Sequence, residues 1–206
     1  MYKNIIITTS QILLLSILIL PCYGQGKWEL KKEKNKILVY VLNEDSVVFK
    51  PYRALTKMEA SIHDFEKLLK DIQNMTDWAP SVKKIRIIHE IGDSIQLYYS
   101  EAKAPFPFNN RDGIYQNTYR WAADGKSLRV DIKLLADYLP LKDNLVRVRG
   151  YGCWIIKDLG HGEIEIFTEM HIDPGGNIPA WLANSFADEN PYKTLMNIRK
   201  ILMKAP

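Results

Sequence analysis

From Lys83 to His171 the sequence runs in a two-residue alternation of apolar and polar side chains, interrupted by Gly92-Asp93, Asp124-Gly125 and Gly160-His161-Gly162. Alternation sends successive side chains to opposite faces, so each run reads as a strand with one apolar face. Lys83–Ile91 places Ile85, Ile87 and Ile91 together, and Ser94–Glu101 answers it with Ile95, Leu97 and Tyr99. Arg111–Trp121 follows the loop 104–110, and the next strand gathers Leu128, Val130, Ile132 and Leu134. Leu145–Lys157 and Glu163–His171 complete the series. Strands joined by turns this short pair neighbour to neighbour, so one curved antiparallel sheet is predicted.

Three shorter strands precede that block: Trp28–Lys32, Ile37–Leu42 and Val47–Ala54. The period then changes. Thr56-Lys57-Met58-Glu59 has the form of a capping box, and Met58, Ile62, Phe65, Leu69 and Ile72 recur at helical spacing. At the far end, Pro174-Gly175-Gly176 ends the last strand, and a long helical region follows. It carries Trp181, Leu182 and Phe186, then Tyr192, Leu195, Met196, Ile198, Ile201 and Leu202. Pro179 suits a helix start, whereas Pro191 must kink or divide the helix. An α+β fold follows, with the terminal helix laid in the concave side of the sheet. Where the two do not meet along their full length, a cavity stays between them.

The amino-terminal residues read as an export signal rather than as part of the fold. Lys3 precedes an apolar stretch, Ile12–Leu20, and Cys22-Tyr23-Gly24 offers small residues for cleavage after Gly24. The alternatives are acylation at Cys22, disfavoured by Pro21, and a retained anchor, disfavoured by the polar run 8–11. The expected organisation is a signal peptide, 1–24, and a single domain, 25–206, in the periplasm or outside the cell. Without Cys22 the chain keeps one cysteine, Cys153, so no internal disulfide or cysteine metal cluster is available. The net charge of +4 is spread among acids, which argues against nucleic acid as a partner.

Arg111-Asp112 opening a mid-chain strand, and Asp173-Pro174-Gly175-Gly176 followed by Pro179-Ala180-Trp181-Leu182-Ala183-Asn184, make the chain resemble the START (steroidogenic acute regulatory protein-related lipid transfer) family. Exported bacterial members are the nearest in kind. Lys50–Ala54, Asp77-Trp78, Phe106-Pro107 and Val148-Arg149-Gly150 through Trp154 support the likeness. The resemblance implies a helix-grip fold, a member of the Bet v 1-like superfamily, enclosing an internal hydrophobic tunnel. The tunnel would hold a lipid, fatty acid or sterol-like ligand, with a charged residue orienting its polar end. By motif position that residue is Arg111, with Arg149 second. No cofactor or metal is implied, and the partners are a hydrophobic small molecule and, transiently, a membrane.

Each candidate has a plainer reading beside it. Arg111 and Asp112 are neighbours on a strand, so at most one faces the cavity, and a structural ion pair at the strand corner is the alternative. Tyr99, Trp154, Trp181, Leu182 and Phe186 are expected to line the tunnel, yet would serve equally as core. Tyr98, Tyr115 and Tyr119 could add hydroxyls. Pro174, Gly175 and Gly176 form the expected hinge. His171 and Asp173 fit a turn better than a metal site, and the order Cys153, His171, Asn184 is a weak echo of a thiol-hydrolase triad. Phe106-Pro107-Phe108 is read as a corner between strands rather than a membrane-touching tip. The expected function is non-enzymatic binding or transfer of a hydrophobic ligand, gated by the terminal helix. An enzyme of the same architecture and a lipid-independent envelope interaction module are the alternatives.

Overall fold

The computed structural model describes residues 27–203, so the amino-terminal signal, its cleavage site and Cys22 lie outside the described residues. Ten strands make one sheet: β1 (Lys27–Lys34), β2 (Ile37–Asn43), β3 (Tyr52–Glu59), β4 (Val82–Ile91), β5 (Ile95–Ala102), β6 (Asn110–Trp121), β7 (Ser127–Leu134), β8 (Leu145–Arg147), β9 (Arg149–Gly160) and β10 (Glu163–Asp173). The spatial order is β1-β2-β3-β10-β9-β7-β6-β5-β4, all antiparallel, with β8 set off the path and parallel to β6. The α+β helix-grip architecture is therefore present.

Three local expectations are corrected. The predicted capping box at Thr56–Glu59 is strand β3, because Thr56 to Glu59 pair in register with Ile166 to Glu163 of β10. Long-range pairing overrides a local signal of this kind. Helix α1 (Ile62–Lys70) instead starts at Ser61, whose hydroxyl accepts from the Asp64 N–H at 3.0 Å. The third strand begins at Tyr52 rather than Val47. The single strand Leu145–Lys157 is split: β8 lies beside β6, and Val148 N–H donates to Asp112 O at 2.9 Å. The start of β9 needs Gly150, at φ +146°. A Cβ there would sit 2.1 Å from the His171 carbonyl oxygen.

The terminal helix is two pieces, α2 (Ala180–Asn184) and α3 (Glu189–Leu202). The break falls at residues 185–188, and Pro191 sits in the first turn of α3, where its missing N–H costs little. Leu195 and Ile198 of α3 are fully buried in the main core. Helix α1 shares the concave face. Its Phe65 is buried against Trp154, ring centroids 5.8 Å apart, over Leu128, Val130 and Ile156. Each such side chain contributes about 1.5–3 kcal/mol of burial.

A smaller core lies on the opposite face of β5 and β6. Leu97, Tyr99 and Ile114 are covered there by Leu135 and Leu139 of the segment after β7. Arg147 fastens that cover. It donates to both Asp112 carboxylate oxygens (2.8 and 3.1 Å) and to the carbonyls of Ala136, Leu139 and Pro140. Both partners of the pair are almost wholly buried.

Candidate functional site: a two-chamber cavity under the terminal helix

Because α3 packs on β2 and β3 while α1 covers β7 and β9, the sheet stays open under α2. A cavity of about 270 Å³ fills this space, reaching from Tyr52, Ile172 and Met170 of the sheet to Ala183, Phe186 and Ala187 of the helical end. A second chamber of about 160 Å³ lies deeper, among Leu69, Met75, Trp78, Tyr98, Ile132 and Trp154. Tyr115 and Met170 line both, so the two chambers adjoin across these side chains. Together the chambers reach the ~300–1,000 Å³ typical of small-molecule sites.

Adjacent strand residues part company as parity requires. Asp112 faces the small outer core and pairs with Arg147, so it makes the structural ion pair. Arg111 faces the larger chamber and is 7% exposed. Its guanidinium donates to the carbonyls of Asn109 (2.5 Å), Pro174 (3.3 Å) and Gly175 (3.2 Å). No carboxylate lies within ion-pair distance of it among the described residues. Burial pushes the group below its usual pKa, though a guanidinium stays charged at neutral pH. No Asp or Glu lines this chamber, while Lys50 and Lys103 add two further cations at its wall. The cavity is mostly apolar, and no carboxylate in its lining offsets this positive charge.

The segment 173–176, the hinge expected from the sequence, is gripped from two sides. Arg111 holds the Pro174 and Gly175 carbonyls, and the Asp173 carboxylate accepts the Gly175 N–H at 2.8 Å. Gly175 has φ +61°, and a Cβ on it would stand 3.0 Å from Arg147 O of β8. Glycine is thus required there by both backbone angle and contact. Helix α2 is fastened separately. Asn184 Oδ1 accepts the Lys50 N–H at 2.9 Å, and its amide donates to Val48 O at 3.0 Å. One side chain ties the helical end to the loop before β3. Asn184→Ala removes both bonds at a half-buried position and should lower stability by about 1 kcal/mol, which urea unfolding measures; an unchanged midpoint would refute the clasp.

The other candidates are distributed as follows. Trp154 lines the deep chamber and Phe186 the larger one. Leu182 is half-buried beside the latter without lining it. Three candidates lie elsewhere. Arg149 is exposed near Asp137 at 3.9 Å, at the start of β9. Tyr99 is in the small outer core, one residue out of phase with the cavity-facing Tyr98. Trp181 is 73% exposed, since α2 is too short to bury every face. Tyr98 and Tyr115 stack at 5.2 Å in the deep chamber wall, and burial pushes Tyr115 up to about 12, so its phenol stays neutral. Tyr119 donates to Gln96 Oε1 at 2.8 Å. Met170 and Asn117, not among the site candidates named from the sequence, also line the space. The signal for both was strand parity, with Ile166 and Tyr115 respectively.

The thiol-hydrolase order does not assemble. Cys153 and His171 border a groove on the convex face, whereas Asn184 ends α2 and lines the chamber on the concave side. Burial pushes the Cys153 thiol up, away from the reactive thiolate. His171 meets Glu169 at 2.6 Å and stacks on Tyr151 at 4.5 Å. Phe106 is 97% exposed at the tip of the loop before β6, so that corner projects rather than packs.

Known proteins share this architecture. Over 86% of this chain and 99% of the other, it superposes with TM-score 0.79 and 34% identity on a STAR-related lipid transfer protein from Xanthomonas axonopodis. An uncharacterised Pseudomonas aeruginosa protein is 29% identical over 178 residues, covering 86% of this chain and 87% of that one. The phosphatidylcholine transfer protein of Rattus norvegicus is 27% identical over 169 residues, covering 80% and 78%. The START domain model matches residues 18–204. With a strand order, a helix-capped cavity and a motif series that all agree with that match, this chain belongs to the START domain family.

Proposed function

We propose that this protein binds one lipid in the two-chamber cavity and carries it between membranes without chemical conversion. The observation that carries the reading is the mostly apolar void under α2 whose buried cation, Arg111, faces only neutral carbonyls. Apolar burial at about 25 cal/mol per Å² supplies affinity for an acyl chain or ring. Arg111 and Lys103 orient a phosphate or carboxylate through charge-assisted hydrogen bonds. The lipid-transfer names of the Xanthomonas and Rattus proteins support the same class of cargo.

Entry requires α2 to move. The hinge at Pro174–Gly176 and the Asn184 clasp are the two attachments that must yield. Val48, Phe106 and Trp181 are exposed apolar side chains on the three segments around the cavity's rim, and they supply a transient membrane contact. The amino-terminal segment would send the chain out of the cytoplasm, making the cell envelope its place of work.

Purified protein, stripped of endogenous lipid and incubated with phosphatidylglycerol vesicles, should carry one lipid per chain by native mass spectrometry. It should also speed transfer of labelled phosphatidylglycerol to acceptor vesicles. A protein that stays empty and leaves transfer at its spontaneous rate would end this reading.

A further inference from the structure

Arg111 stands in a wall between two spaces. Inside is the larger chamber; outside is a groove of about 280 Å³ among Phe108, Asn109, Val146, Gly176 and Asn177. Arg111 is the one residue common to both linings, and neither lining holds an aspartate or glutamate. The wall is a seam between two segments far apart in sequence, loop 104–110 before β6 and segment 174–177 after β10. Three N–H groups of the guanidinium, one from each nitrogen, close it. Nη1 donates to Asn109 O at 2.5 Å, Nε to Pro174 O at 3.3 Å and Nη2 to Gly175 O at 3.2 Å. No other hydrogen bond joins the two segments among the described residues. Two of the five N–H groups of an arginine are left over.

We infer that Arg111 is a latch across this seam, and that the anionic group of the bound lipid, a phosphate or carboxylate, opens it by taking the guanidinium from the carbonyls. The acceptors that Arg111 now holds are neutral, whereas a hydrogen bond to an ionised acceptor is roughly twice as strong. The two leftover N–H groups admit the first oxygen. Arginine grips such an anion best with two parallel N–H groups, and the edge formed by Nε and Nη2 is spent on Pro174 and Gly175. Release strands nothing. Asn109 and Gly176 are exposed, and Pro174 and Gly175 are half-buried, so water in the outer groove takes up the freed carbonyls. With the latch undone, the chamber and the groove run together, and the attachment of α2 at 174–176 is freed. An uncharged guest leaves the seam shut, because a ligand shifts an equilibrium only by its differential affinity for the two states. The charge of the cargo thereby decides whether the wall opens.

This inference rests on the proposed lipid-binding reading, and its test separates the two. Dihexanoylphosphatidic acid and dihexanoylglycerol have the same tails and differ in the phosphate. Each is added to the purified protein, binding is counted by native mass spectrometry, and amide hydrogen exchange is followed in peptides covering 104–110 and 173–178. Phosphatidic acid should raise exchange in both segments together by about fivefold or more, against the slowing that a bound guest ordinarily brings. Dihexanoylglycerol should not raise it. Inorganic phosphate at the same concentration reports the source of the anion: loosening by it as well supports the latch and shows that a free anion reaches Arg111 through the groove. Arg111→Gln should exchange fast in both segments without any ligand and respond no further to phosphatidic acid. Slowed or unchanged exchange in the wild-type protein with phosphatidic acid bound means that the anion sits on the leftover N–H groups with the seam closed. That result overturns the latch while leaving lipid binding intact, and it stands whether or not the variant folds. Failure of both lipids to bind removes both readings.

Discussion

Arg147→Met should destabilise the protein by about 3–5 kcal/mol, the cost of leaving one member of a buried ion pair without its partner. Asp112 is 2% exposed, and the methionine offers none of the five hydrogen bonds that the guanidinium makes. The damage should extend to the cavity. Arg147 is the last residue of β8, and β8 is the floor on which the hinge glycines rest. Urea unfolding measures the loss directly. The double variant Arg147→Met with Asp112→Leu should recover a large part of it, because a pair of apolar groups strands no charge. A single variant within 1 kcal/mol of wild type would show that the pair holds nothing in place.

Ala183→Trp should lower lipid transfer at least tenfold without lowering stability by more than about 1 kcal/mol. Ala183 faces the larger chamber from α2. An indole there would occupy much of the volume that a guest needs, and would meet open space rather than packed side chains. In a solid core such an enlargement costs about 1–3 kcal/mol. A small stability change and a large functional loss therefore mark an open cavity. The measurements are a thermal melt beside the vesicle transfer assay. Unimpaired transfer would move the ligand elsewhere on the protein.

Sequence period made most of this architecture legible. Leu128, Val130, Ile132 and Leu134 alternate in sequence and are all buried on one face of β7. The separation of Arg111 from Asp112 was visible for the same reason, but which of the two met the cavity was not. That depended on where Arg147 arrived, 35 residues later and on a strand that the sequence joins smoothly to the next. The assignments that failed share a cause. Thr56–Glu59 satisfies a helix-capping pattern locally, yet β10 offers it a full ladder of partners. Tyr99 and Tyr98 are equally apolar and adjacent, and the register across β4 and β6 decides which one faces inward. Trp181 is large and aromatic, and the length of α2 leaves it in solvent.

The sequence by itself determined the antiparallel sheet, the position of the terminal helices, the turn that carries them and the family, because periodicity, proline and glycine act within a few residues. Only the tertiary structure decided that the helices leave a void and that Arg111 stands in it without a carboxylate. Those facts depend on distances between segments far apart in the chain, and no local pattern encodes an empty space.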